Sequence, residues 1–118
     1  MFASDYKNLA RANDNFRQVL QTGPHSQIVA MCISEDEDIG EEVHDDTDQI
    51  FMIAEGYGRA EVGGEARVVK EGALVFVPAG TAHNITNTGN QDLKLLTIYA
   101  PPEHPDGTIH KTKQEATA

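Results

Sequence analysis

Seven short runs of β-forming residues, each closed off by Gly, Pro, Asn or Asp, limit what this chain can become. They are Gln27 to Ile33, Ile50 to Ala54, Tyr57 to Val62, Glu65 to Val69, Ala73 to Val77, His83 to Thr88 and Leu93 to Tyr99. Runs this short, punctuated this often, predict an all-β sandwich or barrel rather than alternating strands and helices. Gly63-Gly64 separates two of them as a two-residue hairpin turn, where glycine supplies the positive φ angles of a primed turn. Pro78 ends another run, since its missing N–H suits a strand end, and Ala79-Gly80 then turns the chain. Helical spacing is weak outside the first dozen residues.

With 118 residues the chain has room for one such domain, and it shows neither a linker nor an internal repeat. The reading divides it into an N-terminal extension (1–24), a barrel (25–100) and a C-terminal tail (101–118). The tail is either a loosely held terminus or an arm covering a barrel edge or a neighbouring subunit. Cys32 is the single cysteine, which excludes an internal disulfide and any thiolate-rich metal site. Met1 to Ala12 lacks the apolar stretch of a signal peptide, and no apolar run approaches bilayer length, so a cytoplasmic location is expected.

Charge narrows the partners. A formal net charge of −10 repels phosphate backbones and anionic headgroups, so neither nucleic acid nor a membrane surface is an expected partner. Nearly all of that charge sits between Ser34 and Asp48, where nine Asp and Glu occur with no Lys or Arg. Such a segment is either a solvated loop or one built around a cation. A calcium-binding EF-hand loop starting at Asp36 fails, because Glu41 stands where glycine is required and Thr47 where a bidentate Glu is required.

Two stretches resemble the paired motifs of the cupin superfamily. The second is complete: Gly72, five residues, Pro78, one residue, Gly80, two residues, His83, three residues, Asn87. The first keeps the spacing and changes the residues. Counting back from Gly56 places Gln49 where cupins usually carry Glu, His44 at the second His of the usual pair, Glu42 at the first, and Asp36 at the opening Gly. His25-Ser26-Gln27, Gly40 to His44 and Pro101 to Thr108 are similar to segments of small single-domain cupins often labelled mannose-6-phosphate isomerase-like. The resemblance implies a cupin-type double-stranded β-helix, a jelly-roll-like barrel with a metal in its mouth, in a homodimer.

The residues support a metal site in their own right. Glu42 and His44 are two apart and share a face of an extended chain. Gln49 has the opposite parity, so a turn or bulge must intervene, and Asp45 to Asp48 suit one. Glu42, His44, Gln49 and His83 would carry one negative charge, as the usual set does, with the carboxylate moved to the first position. Oxygen and nitrogen donors without sulfur fit divalent Mn, Fe, Ni or Zn. Four protein donors on a six-coordinate ion leave positions for water or a small-molecule ligand. Acidic residues around the mouth would discourage highly anionic ligands.

Two function classes follow. One is a metalloenzyme, of isomerase or oxygenase type, acting on a small polar carbonyl- or sugar-like substrate through Lewis-acid or oxygen chemistry, with Glu42, if displaced from the metal, as a general base. The other is a non-catalytic module binding a small sugar-like ligand, with the metal as an anchor. Cys32 reads as a buried structural thiol, Gln27 as a pocket-lining residue, and Arg59 and Arg67 as exposed hairpin residues or an anchor for an anionic substrate. His104 and His110 lie in the tail, and no role is assigned to them.

Overall fold

The computed structural model describes residues 1–117 and arranges them as two antiparallel sheets facing each other in a jelly-roll barrel, the all-β class expected from the sequence. In chain order the elements are α1 (Tyr6–Ala12), β1 (Arg17–Thr22), β2 (Gln27–Ile33), β3 (Asp48–Glu55), β4 (Tyr57–Val62), β5 (Glu65–Lys70), β6 (Leu74–Val77), β7 (His83–Asn87), β8 (Leu93–Ala100), β9 (Ile109–His110) and α2 (Lys113–Thr117). The larger sheet runs β6-β3-β8-β2-β1-β9 and the smaller β5-β4-β7. Gly63 and Gly64, at φ of 56° and 86°, close the β4–β5 hairpin directly beyond the Val62–Glu65 pair, which is the primed turn the two glycines predict. Among the described residues no helix is long and apolar enough to cross a membrane.

The strand register layers the barrel interior. Along β8 the inward residues are Leu93, Leu95, Thr97 and Tyr99. Leu93 lies opposite Ile33; Leu95 lies between Met31 and Ile53; Thr97 lies between Val29 and Phe51; and Tyr99 lies between Gln27 and Gln49. All of these side chains are buried. The interior therefore grades from a purely aliphatic floor to a polar mouth over the length of one strand. Each aliphatic side chain sealed in the floor contributes about 1.5–3 kcal/mol relative to exposure.

The outer face of the larger sheet is covered as well. Ala10 of α1 packs with Ala30, Ala54 and Leu96, flanked by Tyr6, Leu20, Ile28 and Met52. Small residues at these positions let the helix lie close to the strands, and both faces of β2 are consequently hidden. Asp5 caps α1 by accepting a hydrogen bond from the Asn8 amide at 3.0 Å. At its other end Lys94 donates to the Arg11 carbonyl (2.7 Å) and to Asp14 (2.9 Å), tying β8 to the helix.

One segment differs from the sequence expectation, and the tail takes one of the two forms left open for it. Residues 17–22, read as part of an N-terminal extension, form β1 and pair with both β2 and β9. Arg17 hides the strand pattern: it is only 5% exposed, its guanidinium lies over the Phe16 ring and it donates to His110 Nδ1 at 3.3 Å. A register shift between Val19 and Gln21 further breaks the alternation. The tail, meanwhile, is an arm on the barrel. Its β9 extends the larger sheet, Ala116 packs on the core, and Lys113 pairs with Asp38.

Candidate metal centre

The two motifs meet backbone to backbone. Glu42 and His83 exchange both of their main-chain hydrogen bonds, each 3.0 Å, which sets the two side chains side by side. His44 is fixed two residues later, where its carbonyl accepts from the Gly80 amide at 2.8 Å. Gly80 makes that approach at φ 82°, a conformation that side chains with a Cβ avoid. Asp48 secures the same turn by accepting from the Ala79 amide at 2.9 Å. A turn at Asp45-Asp46 then shifts the parity of the chain, so that Gln49 enters β3 facing inward, as its position required.

Donor atoms of Glu42, His44 and His83 consequently lie within 4.8 Å of one another. His44 Nε2 is 2.9 Å from Glu42 Oε2, and His83 Nε2 is 3.0 Å from Gln49 Oε1. Gln49 joins the group through that contact while its Nε2 donates to the Thr97 hydroxyl at 3.0 Å. Gln49 and His83 are almost fully buried, at 1% and 2% exposure, whereas Glu42 and His44 face the opening. All four residues singled out in the sequence are thus brought together.

All four ring nitrogens of His44 and His83 face oxygen atoms. His83 Nδ1 lies 3.0 Å from the Thr81 carbonyl, so both of its ring nitrogens face acceptor oxygens. His44 Nδ1 lies 3.2 Å from Glu103 Oε1, so it too stands between two acceptors. A divalent cation would take the Nε2 lone pairs of both rings and leave each Nδ1 facing its own acceptor, the Thr81 carbonyl or Glu103. Adjacent donors around an octahedral ion sit about 3.0 Å apart at bond lengths of about 2.1 Å, close to the Glu42–His44 and Gln49–His83 separations. The residues present fit such an ion.

Aromatic rings form the walls. Tyr99 meets His44 edge to face at 5.9 Å between centroids, and Phe51 lies 6.1 Å from His83. Burial, with the carboxylates of Glu42 and Glu103 adding to it, pushes the Tyr99 hydroxyl well above its ordinary range despite Arg17 nearby. Tyr99 therefore keeps its proton near pH 7.

Glu103 and Gln27 complete the mouth. Gln27 Oε1 accepts from the amides of Glu103 (3.2 Å) and His104 (3.1 Å), and its Nε2 donates to the His104 carbonyl at 2.7 Å. Gln27 lines the interior as expected, but its bonds hold the C-terminal segment. Nothing in local spacing marks Glu103, because the contact joins positions far apart in the chain. Beside it, burial together with Arg17, His110 and His44 lowers the His104 imidazole to about 4, so it is neutral near pH 7.

The other residues read from the sequence fall elsewhere. His25 is exposed. Cys32 is buried, and burial with Asp92 raises its thiol to about 11, as befits a structural cysteine. Arg59 and Arg67 are exposed and face Glu61 and Glu65 on their own strands. Within the acidic window Asp38 pairs with Lys113, Asp48 supports the Ala79 turn and Glu42 faces the cluster; Glu35, Asp36, Glu41, Asp45 and Asp46 are solvated.

The cupin-domain family model matches residues 29–99, which takes in both motifs and the strands that carry them. The chain is a cupin. It is 42% identical over 123 residues to the YrkC protein of Bacillus subtilis, covering 99% of this chain and 66% of that one. It is 44% identical over 101 residues to protein L612 of Acanthamoeba polyphaga mimivirus, covering 82% and 63%. The cupin thus spans slightly less than two thirds of the length of these two relatives. The crystal structure of BH2720 from Bacillus halodurans superimposes with a TM-score of 0.97 at 41% identity, covering 98% of this chain and 92% of that one. In this cupin the barrel, the pairing of the two motifs and a Glu/His/His cluster able to hold a divalent ion occur together.

Proposed function

We propose that this cupin binds one divalent metal ion, Mn, Fe, Ni or Zn, through Glu42, His44, Gln49 and His83, and acts there on a small polar carbonyl- or sugar-like molecule. The observation that carries this reading is the convergence of donor atoms in the barrel mouth: those of Glu42, His44 and His83 lie within 4.8 Å of one another, and Gln49 Oε1 lies 3.0 Å from His83 Nε2. When bound, the ion would supply Lewis-acid polarisation of a carbonyl or hydroxyl oxygen, or the open coordination that oxygen chemistry uses. Isomerase-type chemistry, the activity class suggested by the similarity to isomerase-like small cupins, needs a base near a polarised carbonyl. Glu42, once displaced from the ion by substrate, is the carboxylate suited to that task, since it is partly open to solvent. Tyr99 would donate a hydrogen bond to a ligand oxygen without losing its proton, and Phe51 would exclude water from the His83 side.

Metal analysis of protein purified without added metal, and after equilibration with each of the four ions, tests the reading. Near-stoichiometric metal, lost in both Glu42→Ala and His83→Ala, is the expected result. Metal retained in His83→Ala would sink the ligand assignment. Metal-loaded protein that binds small sugars or carbonyl compounds without converting them would instead make it a binding module with an anchoring ion.

The homodimer reading has a specific surface to draw on. The unpaired edges of β5 and β6 border a groove of about 700 Å³, with Val68, Leu74 and Phe76 exposed beside it. β6 carries no charge, and an uncharged apolar edge strand favours pairing with a second copy of itself. Phe76→Glu is expected to convert a dimer to monomer in light scattering. A monomer before substitution would overturn the dimer.

A further inference from the structure

Building on the metal-binding reading, we infer that Glu103 is a positioning residue of the metal centre, reaching it from the C-terminal arm to hold the Nδ1 proton of His44. Its Oε1 lies 3.2 Å from that nitrogen, and its Oε2 accepts from the hydroxyl of the buried Thr47 at 3.3 Å. The main chain beneath it is clamped, with the Glu103 and His104 amides sharing Gln27 Oε1. Gln27 is 1% exposed and its Nε2 bonds the Thr22 hydroxyl and the His104 carbonyl, so the clamp is part of the sheet. The carboxylate is therefore fixed at the side chain and at the backbone.

This placement decides which nitrogen of His44 faces the ion. With an ion held at Nε2 beside Glu42, the ring proton lies on Nδ1, and the acceptor-only Glu103 carboxylate receives it there. The edge of Tyr99 limits rotation of the ring. His83 receives the same treatment from the Thr81 carbonyl, a neutral acceptor on its own motif. The two imidazoles thus differ in the charge that orients them. Glu103 also completes the electrostatics: a divalent ion with Glu42 alone retains one net positive charge, and the second carboxylate cancels it. Carboxylates that accept from metal-bound histidines orient the ring and raise its basicity.

The test uses the full chain and Zn2+, whose complexes are suited to NMR. Zn2+ affinity is measured by competition with a chelator for the unsubstituted protein, Glu103→Gln, Glu103→Ala and His44→Ala, with thermal melting of each metal-free protein to confirm folding. Glu103→Ala is expected to weaken Zn2+ binding about 10- to 100-fold. Glu103→Gln, which keeps an acceptor oxygen but loses the charge, should fall between the two. Long-range 1H–15N spectra of the Zn2+-loaded protein should show His44 protonated at Nδ1 and metal-bound at Nε2, with Nδ1–H weakened in Glu103→Ala. Binding within twofold of the unsubstituted protein in folded Glu103→Ala, while His44→Ala loses Zn2+, would overturn the role of Glu103 alone. Zn2+ found on Nδ1 would overturn it as well. Unchanged binding in His44→Ala would remove the metal site itself and this role with it.

Discussion

The floor and the mouth of the barrel are built on the same strands and obey opposite rules. At the floor, Ile33, Ile53, Ile85, Leu93 and Leu95 are fully buried and have no polar atoms to satisfy. At the mouth, Gln27, Gln49, His83 and Tyr99 are equally buried; hydrogen bonds position the first three, and Tyr99 packs edge to face with His44 and His104. A four-residue walk along β8, from Leu95 to Tyr99, crosses from one regime to the other. The difference teaches where stability and chemistry separate: the floor can be sealed by packing alone, while the mouth retains acceptor groups that an ion would satisfy.

The sharpest way to break this contrast is a deletion at the floor. Leu95→Ala removes a fully buried side chain between Met31 and Ile53, and should cost about 2–5 kcal/mol in denaturant unfolding. At the mouth, His83→Ala should abolish Zn2+ binding yet cost the metal-free protein less stability than Leu95→Ala, because it also removes a ring facing two acceptors. If His83→Ala unfolds the metal-free chain more readily than Leu95→Ala does, the mouth is a structural element and the separation fails.

Most of the floor was legible in the sequence. β2 and β4 have the limits read from composition and turn residues alone, and the other five runs shift by one or two residues. The second motif was legible as well, because Gly72, Pro78 and Gly80 act locally to shape the turn before His83. The mouth was legible only in part. Glu42, His44, Gln49 and His83 could be named from spacing, including the parity shift at Asp45-Asp46. Glu103 could not, since a tertiary contact across more than fifty residues leaves no periodic trace. β1 was missed for a related reason: its inward Arg17 is acceptable only because Phe16 and His110 receive it.

The C-terminal arm joins the two ends, and its lower fastening offers the smallest test. Lys113 and Asn84 both donate to Asp38, and these hydrogen bonds, Lys113 first, hold the carboxyl below the ordinary carboxylate range. A depressed carboxyl pKa contributes stability that is fully present above the unfolded value, near 3.9, and is lost as pH falls through the lower folded value. Asp38→Asn should therefore lower stability at pH 7 and flatten this part of the acid limb. Partial solvent exposure of the pair keeps the effect well below that of Leu95→Ala. Chelator competition at pH 7 should give the same Zn2+ affinity for Asp38→Asn as for the unsubstituted protein, because Gln27 and Thr47 hold Glu103 independently of Lys113. A loss of Zn2+ affinity in Asp38→Asn would mean that the arm transmits its lower attachment to the mouth, and that the two ends are not independent.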